Sequence, residues 1–390
     1  MAEQLRIVVT GYILRWPLGG NAWPYLQYVL GLSRMGHDVY YVEESGESPY
    51  CCYDAETGES NSDPSYGLRF TSAVFDSVGL GWNWAYYDAH RDAWHGPCAA
   101  KILDVCASAD LLLRLPAIAD SLRPWLAQIP VRALIDTDPA FTQLRHLREP
   151  AAMSDAERYN AWFSFGENIS RGTAKVPDDG LPWKATRQPV VLDAWEVTPG
   201  PPEARFTSVL KWESYRDGDY QGVHYGMKAE SFGPYMDLPR SVNVTLEMAV
   251  GGDTTPKAEL KRNGWILQNP LDVTRDMWTY QDYIRGSSAE FGIAKSGYVV
   301  SRSGWFSERS ANYMASGRPV VAQDTGFNDW LETGSGVIEF GSPQQAIAAI
   351  EEIQDRYSFH CRAARELASE YFDASKVLAT LIDSAFEQAR

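Results

Sequence analysis

The opening segment constrains the chain most. Residues 5–10, LRIVVT, are a short apolar, β-branched run that reads as a buried strand. A loop over Gly11–Gly20 follows. Apolar residues then recur at helical spacing at Trp23, Leu26, Val29, Leu30 and Leu32, and end at Met35-Gly36, where the glycine suits a helix C-terminus. His37, a structural position, and Asp38 lead into a second apolar strand, VYYVEE. Strand, glycine loop, helix and strand in that order make a βαβ unit, which commits this part of the chain to a parallel sheet with a right-handed crossover.

The same rhythm returns after a break. Residues 45–100 are rich in Gly, Ser, Pro and acidic groups and read as an extended insertion near a binding face. Strands are predicted at 107–115 and 131–135 with a helix at 118–129 between them, and further elements of the first domain at 155–170 and 188–195. TPGPP at 198–202 is a composition break suited to a hinge. Beyond it, strands are predicted at 206–212, 263–270, 298–301 and 318–323, a mixed element at 241–250, a helix at 307–316, and two helices over 342–390. A length of 390 residues suits two domains at roughly 100–200 residues each. The expected division is 1–197, 203–365 and a C-terminal helix, 366–390, packing back on the first domain. Two α/β domains facing each other place ligands at the C-terminal ends of strands, in the cleft.

Composition narrows the function. Thirty-five Lys plus Arg against 51 Asp plus Glu give a net charge of −16. This balance argues against a nucleic-acid partner or a polybasic membrane surface, because neutralising phosphates takes clustered cations. Five cysteines, two of them adjacent, show no metal-ligand spacing and suit a reducing, cytoplasmic setting. No signal peptide is visible at the start, and no apolar run reaches 18 residues, so no membrane span is expected. Aromatic residues make up 13% of the chain. Trp82, Trp84, Tyr86, Tyr87 and Trp94 would suit an acceptor wall or lid, or equally the core of the insertion.

The strongest chemical signal is SGWFSERSANYMASGRPVVAQDTGF at 303–327. Ser303 and Ser307 are good helix N-caps, and the amides at such a helix mouth would receive a diphosphate. Arg309 would add a charge-assisted bond, and Glu308 would accept two ribose hydroxyls. Asp324, Thr325 and Gly326 would turn toward the same cleft. On spacing alone, a capped helix in an ordinary α/β unit fits equally well.

These blocks, with PLGGNAWPYLQYVLGLSRMGHDVYYVEES near the start, resemble a GT-B-fold glycosyltransferase. The resemblance implies two Rossmann-like domains facing each other across a cleft, and transfer of a sugar from a nucleotide diphosphate sugar to a hydroxyl-bearing small-molecule or saccharide acceptor, with no cofactor. Retaining families with this block usually carry two glutamates at positions that here hold Asn312 and Gly304, so neither inversion nor retention is implied. Gly19-Gly20 would approach the donor diphosphate, or would form a plain turn.

Asp136 and Asp138 fall at the end of a first-domain strand. Either would serve as the single base an inverting transfer needs, while Asp138-Pro139 also reads as a helix start. Lys211, Lys228 and Lys295 are candidate phosphate partners or solvated lysines. His224 is a base, an acceptor-binding group or an exposed loop residue. His90 and His95 lack a third ligand, so no metal site is expected. A nucleotide-sugar epimerase and a non-catalytic sugar-nucleotide binder would use the same scaffold.

Overall fold

The computed structural model describes residues 4–116, 121–201, 203–214 and 217–390. Residues 118–120 of the predicted helix and Pro202 of the predicted hinge lie outside them.

Among the described residues the strands form two main sheets and two hairpins. The first sheet runs Lys184–Ala185, Ala161–Ser164, Val131–Asp136, Leu111–Arg114, Arg6–Thr10, Asp38–Glu44, Trp84–Asp88 and Ala93–His95. All neighbours are parallel except the last pair. The second is wholly parallel: Ile266–Gln268, Thr245–Gly251, Arg205–Lys211, Ala289–Gly292, Val320–Gln323 and Val337–Phe340. In both, strand order reverses beside the first strand. Crevices therefore open at Thr10 and Arg114 in one domain and at Lys211 and Gly292 in the other.

The βαβ opening forms as its pattern requires. The helix Gly19–Arg34 joins Arg6–Thr10 to Asp38–Glu44, and Gly36 takes φ 90° just past its end, a conformation glycine reaches without strain.

Five local expectations change. The segment 45–100 is no insertion, because the helix Ser65–Ser77 and the strand Trp84–Asp88 continue the alternation, with Trp84 paired to Tyr41. The predicted strand at 298–301 is a helix, Ser296–Ser301, and the strand is Ala289–Gly292. A four-residue apolar run suits a buried helix as well as a strand. The strand predicted at 107–115 is confined to Leu111–Arg114, because Ile102–Ala107 is helical. In the described part of 118–129 the helix covers only Pro124–Ala127. The C-terminal segment makes three helices, Pro343–Asp355, Tyr357–Tyr371 and Ala374–Gln388, rather than two.

The domains are joined by packing as well as by chain. The final helix lies against Gly19–Arg34 and the strands Val131–Asp136 and Ala161–Ser164; Leu378 fills the space a side chain at Gly31 would need. A shared apolar core runs through the interface, with Trp23 4.9 Å from Trp195 and Trp195 edge-on to Tyr280 at 6.4 Å. Buried Gln27 of the first helix donates to Asn312 in the second domain at 3.2 Å and accepts from Val191 and Trp195. The predicted hinge begins anchored. Arg318, 1% exposed, donates to the Thr198 carbonyl, the Thr198 hydroxyl and the Pro199 carbonyl.

Candidate active site between the domains

The helix Glu308–Ala315 starts where the second sheet faces the first domain. Ser307 is its N-cap in extended backbone, but its hydroxyl makes no capping bond. Ser307, Glu308 and Arg309 line a cavity of about 620 Å³ together with Lys211, Gly251, Lys257 and Asn269 of the second domain and Trp16, Gly20 and Tyr53 of the first. Glu308 and Gly20 also line a neighbouring cavity of about 470 Å³, walled by Tyr12, Trp16, Tyr25, Tyr28 and Phe165, with Asp138 on its border. The helix mouth is open, and it faces the cleft.

Charge at this mouth is arranged by both domains. Glu290, on the short second-domain strand, is fully buried, and its carboxylate accepts from the Arg309 Nε at 2.5 Å. Arg309 also donates to the Val209 carbonyl at 2.5 Å. Its guanidinium is therefore fixed in place. Burial pushes the Glu308 carboxyl up to about 7, with the negative charge of Asp138 adding to the effect. The Lys228 ammonium, starting the helix Lys228–Phe232, is pushed down to about 7 by burial and by the positive charges of Arg309 and Lys295.

Asp138 and Asp136 separate here. Asp138 accepts from the Lys295 ammonium at 2.5 Å and from the Tyr298 hydroxyl, so a first-domain carboxylate is held by two second-domain side chains. Its side chain remains 20% exposed. Asp136 is fully buried and accepts from Thr142, Gln143, Ser164 and the Asp138 amide at 2.6–3.0 Å. It shapes the loop that carries Asp138 and does not reach the cleft, a correction to its reading as a base.

The other candidates divide. Lys211 is exposed and lies 5.8 Å from the Trp16 ring on the cavity wall. Gly20 lines both cavities, but Gly19 is buried against the second domain: a Cβ there would lie 2.0 Å from the Asp276 carbonyl oxygen. Ser303 is fully buried, and its carbonyl accepts from the Asn168 amide. Asp324 and Gly326 form a closed turn and line neither cavity, whereas Thr325 lines a small recess of about 20 Å³ with Ser307 and Arg309. Asp324 pairs with Arg302 and accepts from the Gly326 amide, and Thr325 donates to the Trp305 carbonyl at 2.5 Å.

The acceptor candidates fall outside both cavities. Trp84 is a core residue near Phe75, and Trp82 is 77% exposed on the surface. Tyr86 is buried in the same strand. His224 sits on the exposed hairpin Gly218–Tyr220/Val223–Tyr225, bonded to Asp219 and Glu230, which together hold its imidazole above the usual range. With Asp217 and Glu230 it forms an exposed group within metal-ligand reach that sequence spacing did not suggest. Spacing also missed Tyr12, Trp16, Tyr25 and Tyr28. The signal was their clustering around the first glycine loop: Tyr12 and Trp16 precede the helix, and Tyr25 and Tyr28 lie on it.

No protein-family model and no curated protein sequence matches the chain. Solved structures do. An alpha-glucosyltransferase in complex with UDP-glucose and DNA containing an abasic site has a TM-score of 0.60 at 12% identity, covering 98% of this chain and 100% of that one. Anabaena Alr3699/HepE in complex with UDP-glucose follows at 0.58 and 12%, with the same coverage. AviGT4, a glycosyltransferase involved in avilamycin A biosynthesis, matches at 0.52 and 10%, over 99% and 98% of the two chains.

The chain has the GT-B fold. One expectation falls with this comparison. The acidic balance argues against a nucleic-acid partner, yet a glucosyltransferase of this fold is in complex with DNA. A net charge of −16 averages over the whole surface and leaves the potential of one cleft undetermined, here a cleft with Lys211, Lys257 and Arg309 on its wall.

Proposed function

We propose that this protein transfers a sugar from a nucleotide diphosphate sugar to a hydroxyl-bearing acceptor, without a metal, in the cleft between its domains. One observation carries the reading. The open mouth of the helix Glu308–Ala315, with Arg309 fixed beside it, lines a cavity that adjoins a second, aromatic one; Glu308 lines both, and Asp138 lines the aromatic one. The fold's occurrence in proteins solved with UDP or UDP-glucose supports it.

In this reading the larger cavity takes the nucleotide. Amides at the helix mouth, with Arg309 and Lys211, stabilise the charge that grows on the departing diphosphate. The aromatic cavity takes the acceptor. Asp138 receives the proton of its hydroxyl as the oxygen attacks the anomeric carbon, if the sugar is transferred with inversion. The cleft's partial enclosure limits attack by water.

Thermal shift against UDP, UDP-glucose and other nucleotide diphosphates tests the donor half, since a ligand of the folded state raises apparent stability. A rise with a nucleotide sugar, followed by transfer to a panel of hydroxylated acceptors including hydroxymethylated DNA, supports the reading. No shift with any nucleotide overturns it.

A further inference from the structure

A second chemical feature lies behind the cavity wall. Cys51 and Cys52 are adjacent in sequence, and their Sγ atoms are 3.6 Å apart. The Cys51 Sγ is 3.8 Å from His90 Nε2, and the Cys52 Sγ is 3.5 Å from the Tyr86 hydroxyl. The two cysteines are 5% and 2% exposed. Hydrogen bonds from Cys52 and then from His90 hold the Cys51 thiol below the usual range, whereas burial pushes Cys98 and Cys106 up to about 11 and about 12 and also raises Cys361.

The pair is wired to the cleft. The Cys51 carbonyl accepts from Arg15 Nε at 3.3 Å, and the Tyr53 amide donates to the Arg15 carbonyl at 2.9 Å. The Tyr53 ring stacks on Trp16 at 4.7 Å, and both rings line the larger cavity.

We propose that Cys51 and Cys52 are a hydroperoxide-sensing dithiol whose oxidation to a vicinal disulfide displaces the Trp16–Tyr53 wall of the cleft. The Cys51 thiolate attacks one oxygen of hydrogen peroxide. The S–O bond forms, the O–O bond breaks, and the departing hydroxide takes a proton to leave as water. Cys52, whose thiol is held well above the usual range by Cys51 and by burial, gives its proton to the departing oxygen as it attacks the Cys51 Sγ. The S–S bond forms and the S–O bond breaks, releasing a second water. Two thiols are oxidised by two electrons and one peroxide is reduced. Closing the sulfurs to a bond of about 2.0 Å forces the peptide between them to reorient, and Tyr53, the next residue, moves with it.

The effect on ligand rests on the proposed function; the oxidation does not. Full-length reduced protein is treated with graded hydrogen peroxide and read by peptide mass, by hydrogen exchange, and by calorimetry with UDP. We expect the peptide holding Cys51 and Cys52 to lose two hydrogens while Cys98, Cys106 and Cys361 remain alkylatable. Exchange over residues 12–17 should quicken, UDP should bind about threefold to tenfold more weakly, and dithiothreitol should reverse all three. Cys52→Ser should bind UDP as the reduced protein does, and peroxide should add one oxygen to its Cys51 without closing a disulfide or weakening UDP binding. If Cys361 oxidises before the pair, or the disulfide forms while exchange over 12–17 and UDP affinity stay unchanged, the switch is overturned. If the reduced protein binds no UDP, the functional reading falls and the exchange over 12–17 alone decides the switch.

Discussion

Lys295 of the second domain lies 2.5 Å from the Asp138 carboxylate of the first. This contact brings the candidate base to the helix mouth, so the site exists only when the two domains are assembled.

Substitution of the two carboxylates should give opposite phenotypes. Asp138→Asn is expected to lower the rate of transfer by roughly 10²–10⁴, far beyond what its loss of stability explains. Asp136→Asn places a donor among four existing donors and should cost about 2–4 kcal/mol of stability. Steady-state kinetics beside denaturant unfolding separates them, and equal loss of stability in both would remove the distinction.

Glu308 makes stability depend on pH. Its carboxyl sits at about 7 in the folded protein, above the ordinary value near 4.5. Folding therefore retains a proton that the unfolded chain releases, so this group's contribution is full below about 4.5 and is lost as pH rises to about 7. Glu308→Gln should flatten the decline in urea midpoint over that window, a difference of about 1–3 kcal/mol between its ends. Superimposable pH profiles would refute the assignment.

Gly19 should tolerate no side chain. A methyl group there meets the Asp276 backbone, which cannot swing aside as a side chain would. Gly19→Ala is expected to cost about 1–3 kcal/mol and to weaken UDP binding by loosening the interface. Gly36→Ala, where a Cβ meets nothing within 4 Å, carries only the strain of its positive φ and should leave UDP affinity unchanged. Thermal unfolding and calorimetry on both variants make the comparison.

Breaking the buried pair behind the helix mouth should be severe. Glu290→Gln leaves Arg309 facing a neutral group in a buried setting, with an expected cost of about 3–5 kcal/mol. Arg309 would then lose its fixed position, so UDP affinity should fall further than global stability explains. A variant with wild-type affinity would show that Arg309 needs no such anchor.

Where local pattern decides structure, the chain was readable. The βαβ opening, the cap glycine at Gly36, the helix Glu308–Ala315 and the strand Val320–Gln323 follow from periodicity and capping, which act over a few residues. Short apolar runs were not. AEFG at 289–292 carries a glutamate that looks wrong for a core strand until Arg309, 19 residues later, supplies its partner. GYVV at 297–300 alternates too little to separate strand from helix.

The sequence by itself determined two α/β domains, their approximate order, and a helix whose mouth is a fit place for an anion, because hydrophobic spacing and backbone chemistry are local properties. Only the tertiary structure decided which of two aspartates two residues apart meets the cleft, that Gly19 serves packing while Gly20 lines the cavities, and that Trp84 is core while Trp16 is wall. Each of those outcomes depends on which distant atoms share a few ångströms of space, and burial and charge pairing at that range leave no trace in local spacing.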